Sequence, residues 1–499
     1  MTVDPNRQGP GIFKTIQEAI DNASAGQTIF VVNGTYNETL LINKKISLVG
    51  ESRDNTTIDG SQLSNVISIT ADNVAVKGFH VRNSSTTRGA AIRMDRASNN
   101  LIVENSISDS YEGIYLSSSN NNTILGNILT GNDYCVEIFS SSNNVVSNNT
   151  MTNNLEAIGI FTSSNNIVSN NVMKANSNDG VGIYTSSNNI VKNNIISENS
   201  YGIVLSTSNN NIVTSNSIYL STSFGVNIAS GSSNNLFYHN NLNNSQQVEP
   251  DSSLALPNMW DLNGEGNYWS DYNGTDANAD GVGDTQYRID FRNRDNYPLV
   301  GQFSDFYIQF QDESFEVDII SNSTVTNFEF EIGADTGNRI IRFYAGGQEE
   351  NGFFCRARIP NALMNYSSIL LVDEEEISPK TLNGFDSTYS HVYFAYAHSN
   401  QAVSIISSRT LYLLNQLLAQ NSTYDLLVSK YNNLSDSYNQ LKQAYDSLRS
   451  SYDNLLLAQS QSRENNQSML YVIAAATAVF LASTVYLSKR AHEKPHLPS

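Results

Sequence analysis

The sequence predicts a mainly β protein: a right-handed parallel β-helix followed by a small antiparallel β-sandwich, a coiled-coil helix and a C-terminal transmembrane helix. Three observations lead to this prediction. One phrase recurs every 22 to 24 residues across the first half of the chain, short alternating runs fill 303–407, and the C-terminal part changes to a heptad pattern and then to an apolar segment. Each observation indicates a different architecture, so the chain should hold several domains.

The recurring phrase is marked by the second Asn of an Asn-Asn pair. The marker occurs at Asn100, Asn122, Asn144, Asn166, Asn189, Asn211 and Asn235. Positions two and seven places after each marker are apolar in every repeat, and a third apolar pair with period two ends the repeat, as in Ile114 and Leu116. Three short strands per repeat describe one coil of a parallel β-helix. A leucine-rich horseshoe is the competing architecture, but its spaced leucines and helical half are absent.

A column of asparagines lies five places after the markers. It comprises Asn105, Asn127, Asn149, Asn171, Asn194, Asn216 and Asn240. In stacked coils these side chains should lie about 4.8 Å apart, and each amide can donate to one neighbour and accept from the other. The column predicts turn stabilisation, with a polar binding stripe as the alternative.

Both ends of the repeat region carry the features of caps. Phe13, Ile16 and Ile20 lie on one face of a short helix that could cover the first coil. The segment Phe13–Ile20 followed by Gly34-Thr35-Tyr36 resembles the opening of pectate-lyase-like β-helix proteins. The Asn-rich coils and the exit segment 260–298 are similar to the NosD-type periplasmic copper-binding proteins and to carbohydrate-binding β-helix repeats.

The resemblance implies carbohydrate binding and copper handling. A copper site needs clustered His, Met or Cys, whereas the six histidines are scattered along the chain and Met151 and Met173 occupy a core column. No copper site is therefore supported. The composition argues against nucleic acid as a partner, because 48 acidic against 28 basic residues give a net charge of −20, which repels phosphate backbones.

The patterns divide the chain into seven segments. They are an N-terminal cap with the first strands (1–60), the β-helix repeats (61–250), a C-terminal cap (251–300), the β-sandwich (303–407), the coiled-coil stalk (411–460), the transmembrane helix (469–487) and a basic cytoplasmic tail (488–499). The sandwich prediction rests on short runs of alternating polarity broken by Asn, Gly and Pro.

The stalk prediction rests on leucines and tyrosines that alternate steps of four and three from Leu427 to Leu455. Such a seam buries apolar surface only against another helix, so the stalk should form a parallel homo-oligomer. Residues 469–487 carry no charge and are long enough to span a bilayer. Basic residues follow this segment, which places the large N-terminal part outside the cell. Export on this scale requires a signal peptide, and 1–10 shows no apolar stretch.

The best-defined ligand pattern is Asp276, Asn278, Asp280 and Asp284, with Gly281 between the last two. Oxygen side chains at positions 1, 3, 5 and 9 with Gly at position 6 match the first part of a calcium loop. The twelfth position is Tyr287 and not Glu, so the loop is not a complete EF-hand. Calcium binding and a turn rich in Asp and Asn are both open.

Candidate catalytic residues occupy one edge of the coils. Glu156 and Asp179 stand on adjacent coils, about 5 Å apart at the backbone, and paired acids are what glycosidic cleavage uses. Glu112, Tyr134 and Tyr201 belong to the same column and are candidate substrate-binding residues. A lyase would need a basic residue beside bound calcium, and the main candidates in the coils are Lys174 and Lys192.

The sequence therefore predicts a membrane-anchored cell-surface protein that displays a β-helix for adhesion or carbohydrate binding. The alternative function is a polysaccharide-processing enzyme, a hydrolase or a lyase. Asn-X-Ser/Thr triplets such as 37–39 would be available for glycosylation on that surface.

Overall fold

The computed structural model describes residues 1–229, 231–249, 257–334, 336–347, 352–364, 367–382, 388–397, 401–408, 413, 424–461 and 466–492. Side chains at 367, 381, 424–429, 455–461, 466–472, 487 and 490–492 lie outside the described part. The chain forms two compact units, Met1–Arg409 and Thr410–Ser499.

Three parallel sheets build the β-helix. Sheet 1 contains Ile12–Phe13, Thr2–Val3, Thr28–Val31, Ser47–Gly50, Ala75–Lys77, Leu101–Val103, Thr123–Leu125, Val145–Ser147, Ile167–Ser169, Ile190–Lys192, Ile212–Thr214 and Leu236–Tyr238. Sheet 2 contains Gly34–Asn37, Thr56–Asp59, His80–Arg82, Ser106–Ser108, Ile128–Thr130, Thr150–Thr152, Val172–Lys174, Ile195–Ser197, Ser217–Tyr219, Asn241–Asn243 and Tyr268–Trp269. Sheet 3 contains Leu40–Ile42, Ile67–Ile69, Ala90–Asp95, Glu112–Ser117, Tyr134–Phe139, Glu156–Phe161, Asp179–Tyr184, Tyr201–Ser206 and Phe224–Ile228.

The register of these sheets follows from the apolar columns. Ile102 pairs with Ile124 in sheet 1, one repeat apart, and the equivalent columns of sheets 2 and 3 pair in the same way. The side chains of Ile102, Ile107 and Ile114 are fully buried in one core. Because every coil places like residues over like, the apolar face of each coil is covered by its neighbours. The prediction of a parallel β-helix is confirmed.

Asparagine ladders hold the turns between the sheets. Asn149 Nδ2 donates to Asn171 Oδ1 and to Ile124 O, each at 3.0 Å, and the same pattern runs from Asn105 to Asn267. The marker asparagines form a second ladder, and Asn132, Asn154, Asn176 and Asn199 form a third. These amides are almost fully buried, and apart from Asn100 Nδ2 at the end of the second ladder they pair with one another and with backbone. Their role is turn stabilisation, because they supply hydrogen bonds to buried backbone groups that would otherwise lack partners.

Both ends of the coil stack are closed by apolar side chains. Helix α1, Ile16–Asn22, is capped by the Thr15 side chain, and it buries Ile16, Ala19 and Ile20 in the β-helix core. At the other end Trp260 stacks on Phe237 with 4.3 Å between ring centroids, and Trp269 is also fully buried. The tryptophans therefore close the last coils and offer no exposed platform to a sugar. A two-stranded hairpin, Tyr287–Arg288 with Arg294–Asp295, completes the exit segment.

Two antiparallel five-stranded sheets follow, which confirms the predicted change of architecture. Sheet 4 contains Gln302–Phe310, Glu313–Ser321, Phe353–Pro360, Tyr389–Tyr396 and Lys380–Thr381. Sheet 5 contains Thr324–Ile332, Arg339–Gly346, Gln401–Ser408, Ser367–Val372 and Glu375–Ile377. Ile319 of sheet 4 and Phe343 of sheet 5 share one buried core, as expected of a sandwich.

The second unit contains two helices, α2 (Tyr424–Gln461) and α3 (Asn466–His492). The described seam positions of α2 other than Leu441 are exposed, among them Leu434 at 57% and Tyr438 at 53%. The centroid of the Tyr445 ring of α2 lies 6.1 Å from that of the Phe480 ring, so α3 faces α2 at this point.

The predicted membrane span, 469–487, falls within α3, and part of it lies outside the residues whose side chains are described. Across the described part of the chain, no helix combines the length and the apolar character that a membrane crossing requires. The transmembrane element of the predicted fold class is therefore not found there.

Candidate functional site

The candidate site is the outward face of sheet 3. Each of its long strands bends near its start, because a small residue and the next apolar residue both point into the core, as Cys135 and Val136 do. The residue before that pair and the residue after it then face outward. The outward columns therefore lie at the first, fourth and sixth positions of these six-residue strands, whereas a regular strand would place them at every second position.

The first outward column is the one that the sequence identified. Glu112 pairs with Tyr134, which pairs with Glu156, and Asp179 pairs with Tyr201 on later coils. The structure thus places all five predicted catalytic and binding residues in one column that extends over five coils. Phe224 continues the column on the next coil.

The second and third columns supply residues that the sequence reasoning missed. The second contains Arg93, Tyr115, Glu137, Gly159 and Gly182 in register. The third carries Phe139, Phe161 and Tyr184. The signal for them was the column of small residues at Gly113, Cys135, Ala157 and Gly180, which marks the bend.

Glu156 lies at the centre of the face. It is only 5% exposed, and its Oε1 has no hydrogen-bond partner among the described residues. A Cβ on Gly159 would lie 2.9 Å from this oxygen, so the carboxyl reaches across to the second column. Burial, followed by the negative charges of Asp179 and Glu137, raises the pKa of Glu156 to about 8. At neutral pH this carboxyl is therefore protonated and can donate.

Asp179 has a different environment. Tyr184 donates a hydrogen bond from its hydroxyl to Asp179 Oδ2, and its ring lies across Gly182 to do so. Burial raises the pKa of Asp179, and the hydrogen bond from Tyr184 counteracts that rise. Adjacent coils thus hold one carboxyl that favours the protonated form and another whose charged form receives a hydrogen bond.

A second carboxyl pair lies one coil away. Burial and the neighbouring charge of Glu112 raise the pKa of Glu137 to about 7. Burial likewise raises the pKa of Glu112, and the positive charge of Arg93 opposes this. Two carboxyls this close favour a state in which they share a proton.

Aromatic side chains surround the carboxyls. Tyr111 meets Tyr134 edge-on at 5.4 Å between ring centroids, and the Tyr201 and Phe224 rings stack at 6.3 Å. Phe139, 44% exposed, presents its ring to solvent on the third column. Such rings can pack on the C–H faces of a ligand, while buried acids beside them bind its polar groups.

The predicted calcium loop lies elsewhere, between the β-helix and the sandwich. Asp276 accepts hydrogen bonds from the backbone amides of Asp280 (3.0 Å) and Gly281 (2.9 Å), and Asp284 Oδ2 accepts from the Ala277 amide at 2.8 Å. Gly281 has a φ of +83°, the sharp turn that the sixth position of such a loop requires. Among the described residues, no three or more His, Cys, Asp or Glu side chains are grouped to hold a metal ion.

Calcium binding at this loop stays a prediction. The substitutions Asp276→Asn and Asp280→Asn remove two negative charges, and each leaves one of the two acceptor oxygens that the turn uses. They should abolish a stoichiometric calcium isotherm in titration calorimetry. Asp54→Asn, an exposed acid near the N-terminus, is the matched control and should bind as wild type. If the wild-type protein gives no heat of calcium binding, the prediction is wrong and the loop is a structural turn alone.

Part of the chain, which includes most of the coils, is similar to a known family. Residues 66–274 match the family described as "Periplasmic copper-binding protein (NosD)". No curated protein matches the chain.

Several solved structures are similar to the chain. "Geobacillus virus E2 - ORF18" is 13% identical with a TM-score of 0.41, covering 69% of each chain. Pectate lyase Pel9A is 16% identical with a TM-score of 0.36, covering 52% of this chain and 80% of that one. Alginate lyase from Paenibacillus sp. str. FPU-7 is 15% identical with a TM-score of 0.33, covering 49% and 94%. None of these likenesses is close enough to assign an activity.

Proposed function

We propose, for a chain whose β-helix is of the NosD and pectate-lyase-like type, that the outward face of sheet 3 binds an extended glycan. The observation that carries the proposal is the row of carboxyls and aromatic rings from Glu112 to Phe224. At about 4.8 Å per coil, this row is about 24 Å long. A linear polysaccharide lying parallel to the helix axis could contact all of it.

The charges of the face favour a neutral or amino-sugar glycan. Among the described residues of the three columns, five carboxyls accompany one guanidinium, that of Arg93; the carboxyls are those of Asp95, Glu112, Glu137, Glu156 and Asp179. A polyuronate would bring one negative charge per sugar residue to a face where burial and neighbouring carboxylates already raise the pKa of Glu137 and Glu156. Repulsion between like charges in a poorly hydrated site disfavours that class of ligand.

Display at a cell surface belongs to the same proposal. The apolar segment 469–487 would anchor the chain in the membrane. The exposed Leu and Tyr seam of α2 would pair in parallel with α2 of other copies, because an isolated helix gains little from such a stripe.

A glycan array probed with the full chain in detergent micelles tests the proposal. We expect binding to neutral or amino-sugar polymers and none to polyuronates. Tyr201→Ala should weaken binding about tenfold, the usual cost of losing a central aromatic contact. Tyr219→Ala, an equivalent truncation on sheet 2, should leave it unchanged. Selective binding to polyuronates, or equal effects of the two variants, would overturn the proposal.

The second candidate function, glycoside hydrolysis, is favoured by one observation. Glu156 has a raised pKa and an oxygen with no described partner, and it stands one coil from Asp179, whose carboxylate is hydrogen-bonded. Environments that separate the pKa values of two carboxyls are typical of an acid and its partner in glycosidic cleavage. Glu156 would protonate the leaving oxygen as the glycosidic bond breaks. A water molecule would attack the anomeric carbon, and the Asp179 carboxylate would accept the proton that this water loses.

A further inference from the structure

We infer that the cleft between the β-helix and the β-sandwich is a separate binding site for a small, uncharged, hydroxyl-rich ligand of one or two sugar residues. The cleft lies beside sheet 1 and is lined by residues of both domains, among them Lys192, Tyr307, Glu316, Arg358 and Tyr389. None of these belongs to the columns of sheet 3. The inference therefore does not depend on the proposed function.

The two sides of the cleft are held together by specific contacts. Asn193 Nδ2 donates to Asp305 Oδ2 at 2.7 Å, and Asn241 exchanges two hydrogen bonds with the Phe303 backbone at 2.7 and 2.8 Å. The His239 ring stacks on the Phe303 ring at 3.9 Å. Deeper in, the buried Arg356 pairs with Glu265 and donates to the Asp280 carbonyl at 3.1 Å. A cleft with such supports is pre-formed, so binding would cost little ordering entropy.

The cleft has the size and placement of a ligand site. Its volume is about 600 Å³, within the range of about 300–1,000 Å³ that small-molecule pockets occupy, and such pockets occur preferentially where domains meet.

Its chemistry selects for an uncharged, polar ligand. The Lys192 ammonium has no ion-pair or hydrogen-bond partner among the described residues, and neither does the Glu316 carboxylate. One such group of each sign leaves the lining without a net preference for a charged ligand. Arg358 is already neutralised by Asp318 and lies 4.5 Å from the centre of the Tyr389 ring.

A sugar satisfies all of these groups at once. Its hydroxyls both donate and accept, so they can accept from Lys192 and donate to Glu316. The Tyr307 ring, 55% exposed at the rim, offers a face for the sugar's C–H groups.

Saturation-transfer NMR on the full chain tests the inference with glucose, galactose, mannose and N-acetylglucosamine, and with glucuronate and glucosamine as charged counterparts. We expect at least one neutral sugar to bind at millimolar concentration. Lys192→Ala and Tyr307→Ala should each weaken that binding about tenfold. Lys174→Ala, a lysine of sheet 2 paired with Glu198, is the matched control. Tyr201→Ala reports on sugar bound at sheet 3, and the part of the signal that depends on Lys192 and Tyr307 should persist in it.

The variants are surface changes, and an unchanged thermal midpoint verifies that each folds. Tyr307→Phe keeps the ring and should retain most of the affinity. The inference is overturned if no neutral sugar binds, if only charged sugars bind, or if binding survives both cleft variants. Loss of binding in Tyr201→Ala alone would assign the signal to sheet 3 and overturn it as well.

Discussion

Replacing Asn171 by Asp should lower the free energy of unfolding of the β-helix by about 3 kcal/mol or more. Asn171 is 1% exposed. Its Nδ2 donates to Val146 O at 2.9 Å and to Asn194 Oδ1 at 3.0 Å, while its Oδ1 accepts from both amides of Asn149. A carboxylate has no hydrogen to donate, so an oxygen would face two acceptors with a buried negative charge.

Denaturant unfolding of the two proteins measures this difference. Asn153→Asp makes the same chemical change at an exposed turn of the same stack and should alter stability by a few tenths of a kcal/mol. The difference in free energy of unfolding between Asn171→Asp and wild type should shrink as pH falls, because the protonated acid regains one donor and loses its charge. An Asn171→Asp protein as stable as the control would show that the ladder does not support the coils.

Replacing Glu156 by Gln should abolish any turnover of a bound glycan while leaving its affinity within about twofold. The amide keeps the size and the neutral state that Glu156 has below its pKa of about 8, but it cannot release a proton. Loss of a positioned general acid costs about 10²- to 10⁴-fold in rate. The rate at which new reducing ends appear in the glycan selected on the array measures this loss of turnover.

The pH dependence of Glu156 provides a second readout. Wild-type rate should fall as pH rises through about 8, since the acid must be protonated. A carboxyl whose folded pKa is raised contributes stability that is full below its unfolded pKa of about 4.3 and lost as pH rises through the folded value. Glu156→Gln lacks that loss and should be more stable than wild type at pH 9.

Glu104→Gln, an exposed carboxyl paired with Lys77, is the control and should match wild type in both rate and stability. Turnover that persists in Glu156→Gln would remove this residue as the acid. A wild-type protein that binds glycan without releasing product would leave binding as the function.

The coil architecture was predictable because it depends on local, repeated information. Each marker asparagine fixes the position of a turn, and each apolar column can be buried only inside the stack. Because both repeat at the same interval, the register between coils can be predicted from the repeat length. The same argument identified Glu112, Glu156 and Asp179 as neighbours, since they share one column.

Glu137 and Tyr184 were missed because period-two alternation fails on these strands. The small residue in the bend, such as Cys135 or Gly180, points inward together with its successor, and this shifts every later position to the other face. Reading the small-residue column as a bend would have placed Glu137 outward.

The cleft could not be predicted from sequence at all. It forms where Lys192 of one domain approaches Glu316 and Arg358 of another, and no periodicity connects residues so far apart in the chain. The position of the sandwich against the β-helix depends on isolated contacts such as the hydrogen bond from Asn193 to Asp305. No sequence motif identifies such contacts in advance.

The central claim is that glycan lies along the outward face of sheet 3, and a crystal structure of the chain with an oligosaccharide chosen from the array tests it most directly. The account predicts sugar density parallel to the helix axis, with rings against Tyr134 and Tyr201 and hydroxyls within hydrogen-bonding distance of Glu156. Density confined to sheet 1, sheet 2 or the sandwich, with the sheet 3 face left open to solvent, would contradict it.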